Sequence, residues 1–244
     1  MSGELARREE VGALVGRLSE RDLDAAERGR LLARLSGLLA GGVRAVGSRA
    51  ALSGRWLADV VADVAPHVPV RDLETLQAHH GGLTGSELAE ALVRSATRAT
   101  AGVGAAGGAL AAVQHAAPPS LLAAPLQLTA ETLAVVAVEI KLVAELHVVH
   151  DRAPVGTSAE VAAAYLGAWV ERRAVDGAVG APLLGAVLGA AARQQLRRRV
   201  VRRLARNAAT LAPLLTGAVA GAELNRRETR ALGDTVVEEL RRGR

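Results

Sequence analysis

Residues 126–150 read LQLTAETLAVVAVEIKLVAELHVVH, and the prediction of the fold starts from this long apolar segment. Its apolar residues and good helix formers favour one long helix. On a helical wheel Glu139 lies within about 80° of His147 and His150, whereas Lys141 and Glu145, with Glu131, gather on the other side. We expect one of these two polar stripes to face solvent and the other to lie inside the protein.

The composition of the whole chain indicates an all-α fold. Half of the 244 residues are hydrophobic, but only 1 % are aromatic. Strands are enriched in aromatic and β-branched residues, so an inventory of Ala, Leu and Val with Arg and Glu favours helices. No stretch alternates convincingly with the strand period of two. We therefore predict an all-α multi-helix bundle with Gly/Ala-rich hydrophobic helical hairpins.

The chain divides into two parts by composition. Residues 1–82 are predicted to form an N-terminal region of amphipathic helices, with Ser19 as one N-cap and Gly81 as part of a C-cap. Residues 83–244 form a Gly/Ala-rich helical core, in which Thr157 or the serine after it caps the helix that follows the long apolar one. One continuous domain is the alternative to this division.

Three runs without formal charge, at 99–117, 178–192 and 208–222, characterise the core. Each contains two glycines spaced four apart, and this spacing lets helix backbones approach closely. These helix-packing candidates are Gly104, Gly108, Gly185, Gly189, Gly217 and Gly221. The runs are too short or too rich in glycine to predict transmembrane helices. Packing in a water-soluble core and packing within or on a membrane both stay open.

The basic segment 193–206, RQQLRRRVVRRLAR, is the strongest electrostatic feature of a chain whose net charge is +5. As a helix it places its apolar residues on one side, and we predict that its arginines bind an anionic lipid surface. The arginines assigned to this role are Arg197, Arg198, Arg199, Arg202, Arg203 and Arg206. A merely solvated basic face is the alternative, and the lack of nearby aromatic residues for stacking disfavours nucleic acid.

Few residues point to catalysis or to a cofactor. The chain has no cysteine, which excludes disulfides and thiolate zinc sites. Residues 102–107, GVGAAG, match a dinucleotide-binding pattern, but a helical segment rather than a strand precedes them, and we expect no cofactor. The candidate metal ligands are Glu139, His147, His150 and Asp151, the last three of which share a helical face.

Three stretches of the chain resemble the EcsC family and related helical proteins of high-GC bacteria. They are VGAAGGALAAVQHAAPP at 103–119, ETLAVVAVEIKLVAELHVVHD at 131–151 and PLLTGAVAGAELN at 213–225. The resemblance covers about half of the chain. It implies a membrane-associated helical protein and supplies no catalytic residues.

We therefore expect a non-enzymatic helical protein, peripheral to or partly inserted in the cytoplasmic face of a membrane, with anionic lipid as its partner. The first residues, MSGELARREE, lack the apolar segment of a secretory signal. A second hypothesis is a soluble bundle that forms a homo-oligomer or binds a protein partner through its Gly/Ala faces. A third is a metal-dependent enzyme that uses Glu139, His147, His150 and Asp151.

Overall fold

The computed structural model describes residues 2–20, 23–47, 55–116, 123–172, 190–207 and 216–242. Within these ranges the chain forms helices and turns but no strand, which confirms the all-α prediction. The helices are α1 (Ser2–Leu18), α2 (Ala25–Val46), α3 (Arg55–Val64), α4 (Leu73–His79), α5 (Gly85–Ala116), α6 (Ala123–Val149), α7 (Ser158–Arg172), α8 (Ala190–Asn207) and α9 (Thr216–Arg242). A short 3-10 turn, Ala65–His67, follows α3.

The start of α2 differs from the sequence-based prediction. Its N-cap is Asp24, whose carboxylate accepts a hydrogen bond from the amide of Glu27 at 2.7 Å. Ser19 instead donates its hydroxyl proton to the carbonyl of Gly16 at the end of α1, at 2.5 Å. The prediction of an N-cap at Ser19 is therefore wrong, because α1 extends to the residue before it.

Two other predicted helix ends are confirmed. Before α7, the Thr157 hydroxyl accepts a hydrogen bond from the amide of Glu160 at 3.4 Å, and the Glu160 carboxylate accepts one from the Thr157 amide at 2.8 Å. After α4, Gly81 and Gly82 have φ values of 67° and 80°, a left-handed conformation that glycine adopts without steric cost.

Helix α6 runs through the middle of the bundle. It is contacted by α1, α2, α3, α5, α7, α8 and α9, and every residue from 127 to 146 is buried. The prediction that one of its polar stripes faces solvent is wrong, since Lys141 and Glu145 are buried as Glu139 is. Because a buried charge is costly unless it is paired, the charged residues of α6 need partners on the surrounding helices.

Helices α5 and α9 form the most extensive helix pair. Gly104 and Gly221 lie where their backbones meet: a Cβ added at Gly104 would be 2.5 Å from the carbonyl carbon and oxygen of Gly221. Asn225 joins the same two helices, because its Nδ2 donates to the Thr100 carbonyl at 3.1 Å. The lack of a side chain at the two glycines lets α9 pack its backbone against α5.

The N-terminal helices pack on this central core. Helix α2 contacts both α5 and α6, and Leu35 belongs to the same hydrophobic cluster as Leu133 and Val200. Residues on both sides of position 82 therefore share one core.

None of the helices in the described ranges combines the length and the apolar content that a bilayer crossing requires. Of the uncharged runs, 99–117 forms part of α5 as far as Ala116. Most of 178–192 lies outside the described residues, and 208–222 is described only from Thr216 onward.

Candidate functional site

Helix α8 carries the predicted basic segment and is amphipathic. Leu196, Val200 and Leu204 are buried, with at most 5 % of each residue exposed, as their spacing predicts, whereas Val201 is only half-buried. The helix packs on α3, α6 and α7. Since its apolar side is held against the bundle, the opposite side faces outward.

The arginine face, as we call it, consists of four exposed arginines of α8: Arg193, Arg197, Arg198 and Arg202. Arg198 and Arg202 lie opposite the buried residues of the helix, and Arg193 and Arg197 lie in its first two turns. All four are exposed, and none of them has an ion pair or hydrogen bond with another residue that the structure describes. Helix α8 itself contains no acidic residue, so no carboxylate one turn away can neutralise them. Arg199, beside them, is half-buried.

The other two predicted lipid-binding arginines are paired with an acid of α9. Arg203 is only 3 % exposed and forms an ion pair with Glu228, and its Nη2 donates to Asn225 Oδ1 at 2.8 Å. Arg206 pairs with the same carboxylate at 2.6 Å. The prediction that Arg203 lies on the exposed side with Arg202 is wrong, because a step of one residue turns a side chain about 100° around the helix.

Arg203 also approaches a second buried acid, Glu139 of α6. Its Nη2 lies 3.6 Å from Glu139 Oε1. The Trp169 indole donates to Glu139 Oε2 and the Thr229 hydroxyl donates to Oε1, both at 2.9 Å. Side chains of α6, α7, α8 and α9 thus meet at one carboxylate, whose charge is compensated as a buried group requires. This contact fixes the rotation of α8 and thereby determines which arginines point outward.

The candidate metal ligands do not converge. His147 and His150 each donate from Nδ1 to the carbonyl one turn earlier, at 2.7 and 2.8 Å. Asp151 is exposed beyond the end of α6, and Glu139 lies eight residues, or about 12 Å along the helix axis, from His147. In the described part of the chain, no group of three or more His, Asp or Glu side chains could hold a metal ion.

The predicted helix-packing glycines have different surroundings. Gly104 and Gly221 lie at the contact between α5 and α9, and Gly108 is also buried. Gly217 is in the first turn of α9. Gly185 and Gly189 lie outside the described residues.

A second charged centre, which the sequence analysis missed, lies on the opposite side of α6. Glu145 is 3 % exposed and accepts hydrogen bonds from Nε and Nη2 of Arg71 at 2.8 and 2.9 Å and from Nζ of Lys141 at 2.6 Å. Lys141 also donates to the Pro69 carbonyl. The spacing of Lys141 and Glu145 was a visible signal, but Arg71 is 74 residues away from Glu145 and no local pattern connects them. We call Arg71, Lys141 and Glu145 the ion triad.

The members of the ion triad shift one another's pKa. Burial raises the pKa of Glu145, but the hydrogen bond from Arg71 and the positive charges of Lys141 and Arg71 together bring it below its usual value. Burial lowers the pKa of Lys141, and the charge of Glu145 only partly opposes this. The hydrogen bond with Glu145 raises the pKa of Arg71. Two cations thus share one carboxylate, which leaves one positive charge in surplus.

No family model matches the chain, and comparisons with curated proteins and with solved structures find no significant match either. The charges and contacts of the chain itself are therefore what indicates its function. Those contacts leave charged groups available to another molecule in two places, the arginine face of α8 and the surroundings of the ion triad.

Proposed function

We propose that this chain is a non-enzymatic helical protein that binds the anionic cytoplasmic face of a membrane through the arginine face of α8. One observation carries the proposal: four arginines of a single helix are exposed, without an acidic partner among the described residues. Guanidinium groups bind phosphate oxygens through paired hydrogen bonds. Anionic headgroups at a bilayer surface attract clustered basic residues of this kind.

The packing of α6 supports peripheral binding rather than partial insertion of α5 and α6 into the membrane. Residues 127–146 are buried on all sides by other helices. An apolar helix that protein already covers gains little from contact with lipid tails. The resemblance to the EcsC family, which implies membrane association, agrees with a peripheral role.

Self-association through the Gly/Ala faces has less support. Gly104 and Gly221 face each other within the bundle, where an added Cβ would overlap backbone. These two glycines are therefore used for a contact within the chain, and they are unavailable to a second copy or to a protein partner.

Co-sedimentation with vesicles tests the proposal. The purified, detergent-free chain is mixed with vesicles of phosphatidylcholine alone, or of phosphatidylcholine with phosphatidylglycerol, at low and at high salt. We expect binding to the anionic vesicles only, and only at low salt, because the Debye length falls from about 10 Å at 0.1 M to about 3 Å at 1 M. Salt-resistant binding would indicate insertion. Recovery in the supernatant under all conditions would contradict the proposal and favour a soluble, partner-binding bundle.

A pair of matched variants tests the arginine face itself. Replacing Arg193, Arg197, Arg198 and Arg202 with Gln should weaken binding to anionic vesicles by about a hundredfold or more, since each basic residue near the surface contributes roughly fivefold. The control variant carries the same number of Arg→Gln changes on α9, at Arg226, Arg227, Arg230 and Arg242. Both variants have the same net charge. Equal loss of binding in the two would show that net charge acts without regard to α8, against the proposal.

A further inference from the structure

A cleft open to solvent lies beside the ion triad. Its volume is about 420 Å³, within the range of roughly 300–1,000 Å³ that is typical of small-molecule sites. Its walls come from the end of α1, the segment before α4, the end of α4, and the middle of α5 and α6. The side chains with hydrogen-bond donors on these walls belong to Ser19, Arg71, His79, His80, Ser95 and Lys141.

The charges around the cleft favour an anion. Arg71 and Lys141 both line it, and they share the single carboxylate of Glu145, which lies behind them. The acid on the rim, Glu20, is exposed and interacts electrostatically with both Arg71 and Lys141. Its own carboxylate accepts a hydrogen bond from a further cation, Arg17, at 3.1 Å. Arg71 and Lys141 at the base of the cleft therefore keep a surplus positive charge. Because a charge in a partly desolvated place is stabilised by a counter-ion, this surplus favours the binding of an anion.

Unused hydrogen-bond donors indicate the kind of anion. Arg71 uses Nε and Nη2 on Glu145, which leaves Nη1 without a partner among the described residues. Lys141 uses two of its three hydrogens, on Glu145 and on the Pro69 carbonyl. The Ser95 hydroxyl and the His79 imidazole also form no hydrogen bond to another described side chain or backbone group. These donors stand on four separate segments, which suits the three terminal oxygens of a phosphate monoester better than the two oxygens of a flat carboxylate.

We infer that this cleft binds a small phosphate monoester, with Arg71 and Lys141 holding the phosphate and with Ser95 and His79 donating further hydrogen bonds. The volume leaves room for an organic group beside the phosphate. Lys141 lies about 200° around α6 from Glu139, so the cleft is separate from the buried contacts that orient α8. The inference does not depend on the proposed membrane binding.

Isothermal titration of the full chain with inorganic phosphate, at constant ionic strength in chloride buffer, tests the inference. We expect saturable binding at one site and weaker binding of acetate. Arg71→Gln should lower the phosphate affinity by about ten- to hundredfold, because a hydrogen bond to a charged group is lost. Since this change also breaks the pair with Glu145, Ser95→Leu provides a second variant that narrows the cleft and leaves every charge in place. It should weaken phosphate binding as well.

Two control variants locate the binding. Ser36→Leu, at a half-buried serine of α2 outside the cleft, should leave the phosphate affinity unchanged. The variant with Gln at the four positions of the arginine face should bind phosphate as the unaltered chain does, which separates this site from the proposed membrane surface. Absence of saturable binding, tighter binding of acetate than of phosphate, or equal affinity in both cleft variants and the unaltered chain would overturn the inference.

Lys141 gives an independent readout, because it is the only lysine of the chain. Its acylation by an amine-reactive reagent should be slowed about tenfold by phosphate at ten times the dissociation constant, as expected for a site that is occupied most of the time. The N-terminal amine of the purified chain serves as the internal control. Binding of phosphate without protection of Lys141 would place the anion elsewhere and contradict the inference.

Vesicles that contain phosphatidic acid, whose headgroup is a phosphate monoester, identify the source of the ligand. If inorganic phosphate displaces the chain from these vesicles, the cleft binds a lipid headgroup. If phosphate binds in the titration without affecting the vesicles, the ligand is a soluble metabolite. Both results agree with a phosphate site in this cleft.

Discussion

Helices α8 and α9 are both rich in arginine, but their arginines have opposite surroundings. On α9, Arg226 and Arg227 share the carboxylate of Glu223, and Arg230 pairs with Asp234 one turn later. On α8 no acidic residue is present, and the arginine face has no acidic partner in the described part of the chain. The spacing of acids, rather than the number of arginines, thus decides whether a basic helix presents available charge.

The two helices are also held in place by different contacts. Helix α9 meets α5 through backbone, at Gly104 and Gly221. Helix α8 is fixed by apolar side chains and by Arg203, which pairs with Glu228 and approaches Glu139. In α8 one arginine therefore orients the helix while its neighbours face outward.

The largest effect is expected for Arg203→Ala. This change removes the Arg203 guanidinium from the buried Glu139 and leaves Glu228 paired with Arg206 alone. Loss of one member of a buried ion pair costs about 3–5 kcal/mol. The matched change on α9, Arg227→Ala, removes an exposed partner and should leave the free energy of unfolding nearly unchanged. Urea unfolding followed by circular dichroism measures both. Similar urea midpoints for the two variants would show that the arginines of α8 and α9 do not differ in their contribution to stability.

A smaller effect is expected for Gly104→Ala, which tests the backbone contact of α9. The new Cβ would lie 2.5 Å from the Gly221 carbonyl, so α5 and α9 must separate, at a cost of about 1–3 kcal/mol. At Gly37, on α2, an added Cβ has nothing within 4 Å. Gly37→Ala should therefore stabilise the protein by about 0.5–1 kcal/mol. Chemical unfolding shows whether each change raises or lowers the free energy of unfolding. Stabilisation by both changes would argue against a close contact at Gly104.

Placing an acid on α8 should make it resemble α9. Gln194 is exposed, and Gln194→Glu sets a carboxylate three and four residues before Arg197 and Arg198, where it can pair with them. We expect binding to anionic vesicles to weaken about fivefold at low salt. Gln77→Glu on α4 changes the net charge equally and serves as the control. If both changes weaken binding to the same extent, local pairing on α8 has no special effect.

The smallest effect concerns the protonation of Glu223 on α9. Hydrogen bonds from Arg226 and Arg227 lower the pKa of this carboxyl from its ordinary 4.5 to about 2. Because the folded-state pKa is depressed, the stabilisation is complete above pH 4.5 and is lost as the pH falls through 2. An NMR titration of the side-chain carboxyl should give a midpoint near 2. A midpoint near 4.5 would mean that Arg226 and Arg227 are as unpaired as the arginine face of α8.

Local signals in the sequence predicted much of the fold. The Thr157 cap, the glycines after α4 and the apolar side of α8 all depend on residues within one or two turns of each other. The N-cap of α2 shows the limit of such signals. Ser19 and Asp24 are both good capping residues, and only the observed length of α1 selects Asp24.

The helical class, the amphipathic character of α8 and the lack of acids in that helix could all be predicted from the sequence, because composition and periodicity act over a few residues. The packing of the helices, by contrast, buries α6 on every side, turns Arg203 inward to Glu139 and Glu228, and brings Arg71 to Glu145. These outcomes join helices far apart in the chain. They follow from the need of each buried charge for a partner, and which partner comes within reach depends on how the helices pack.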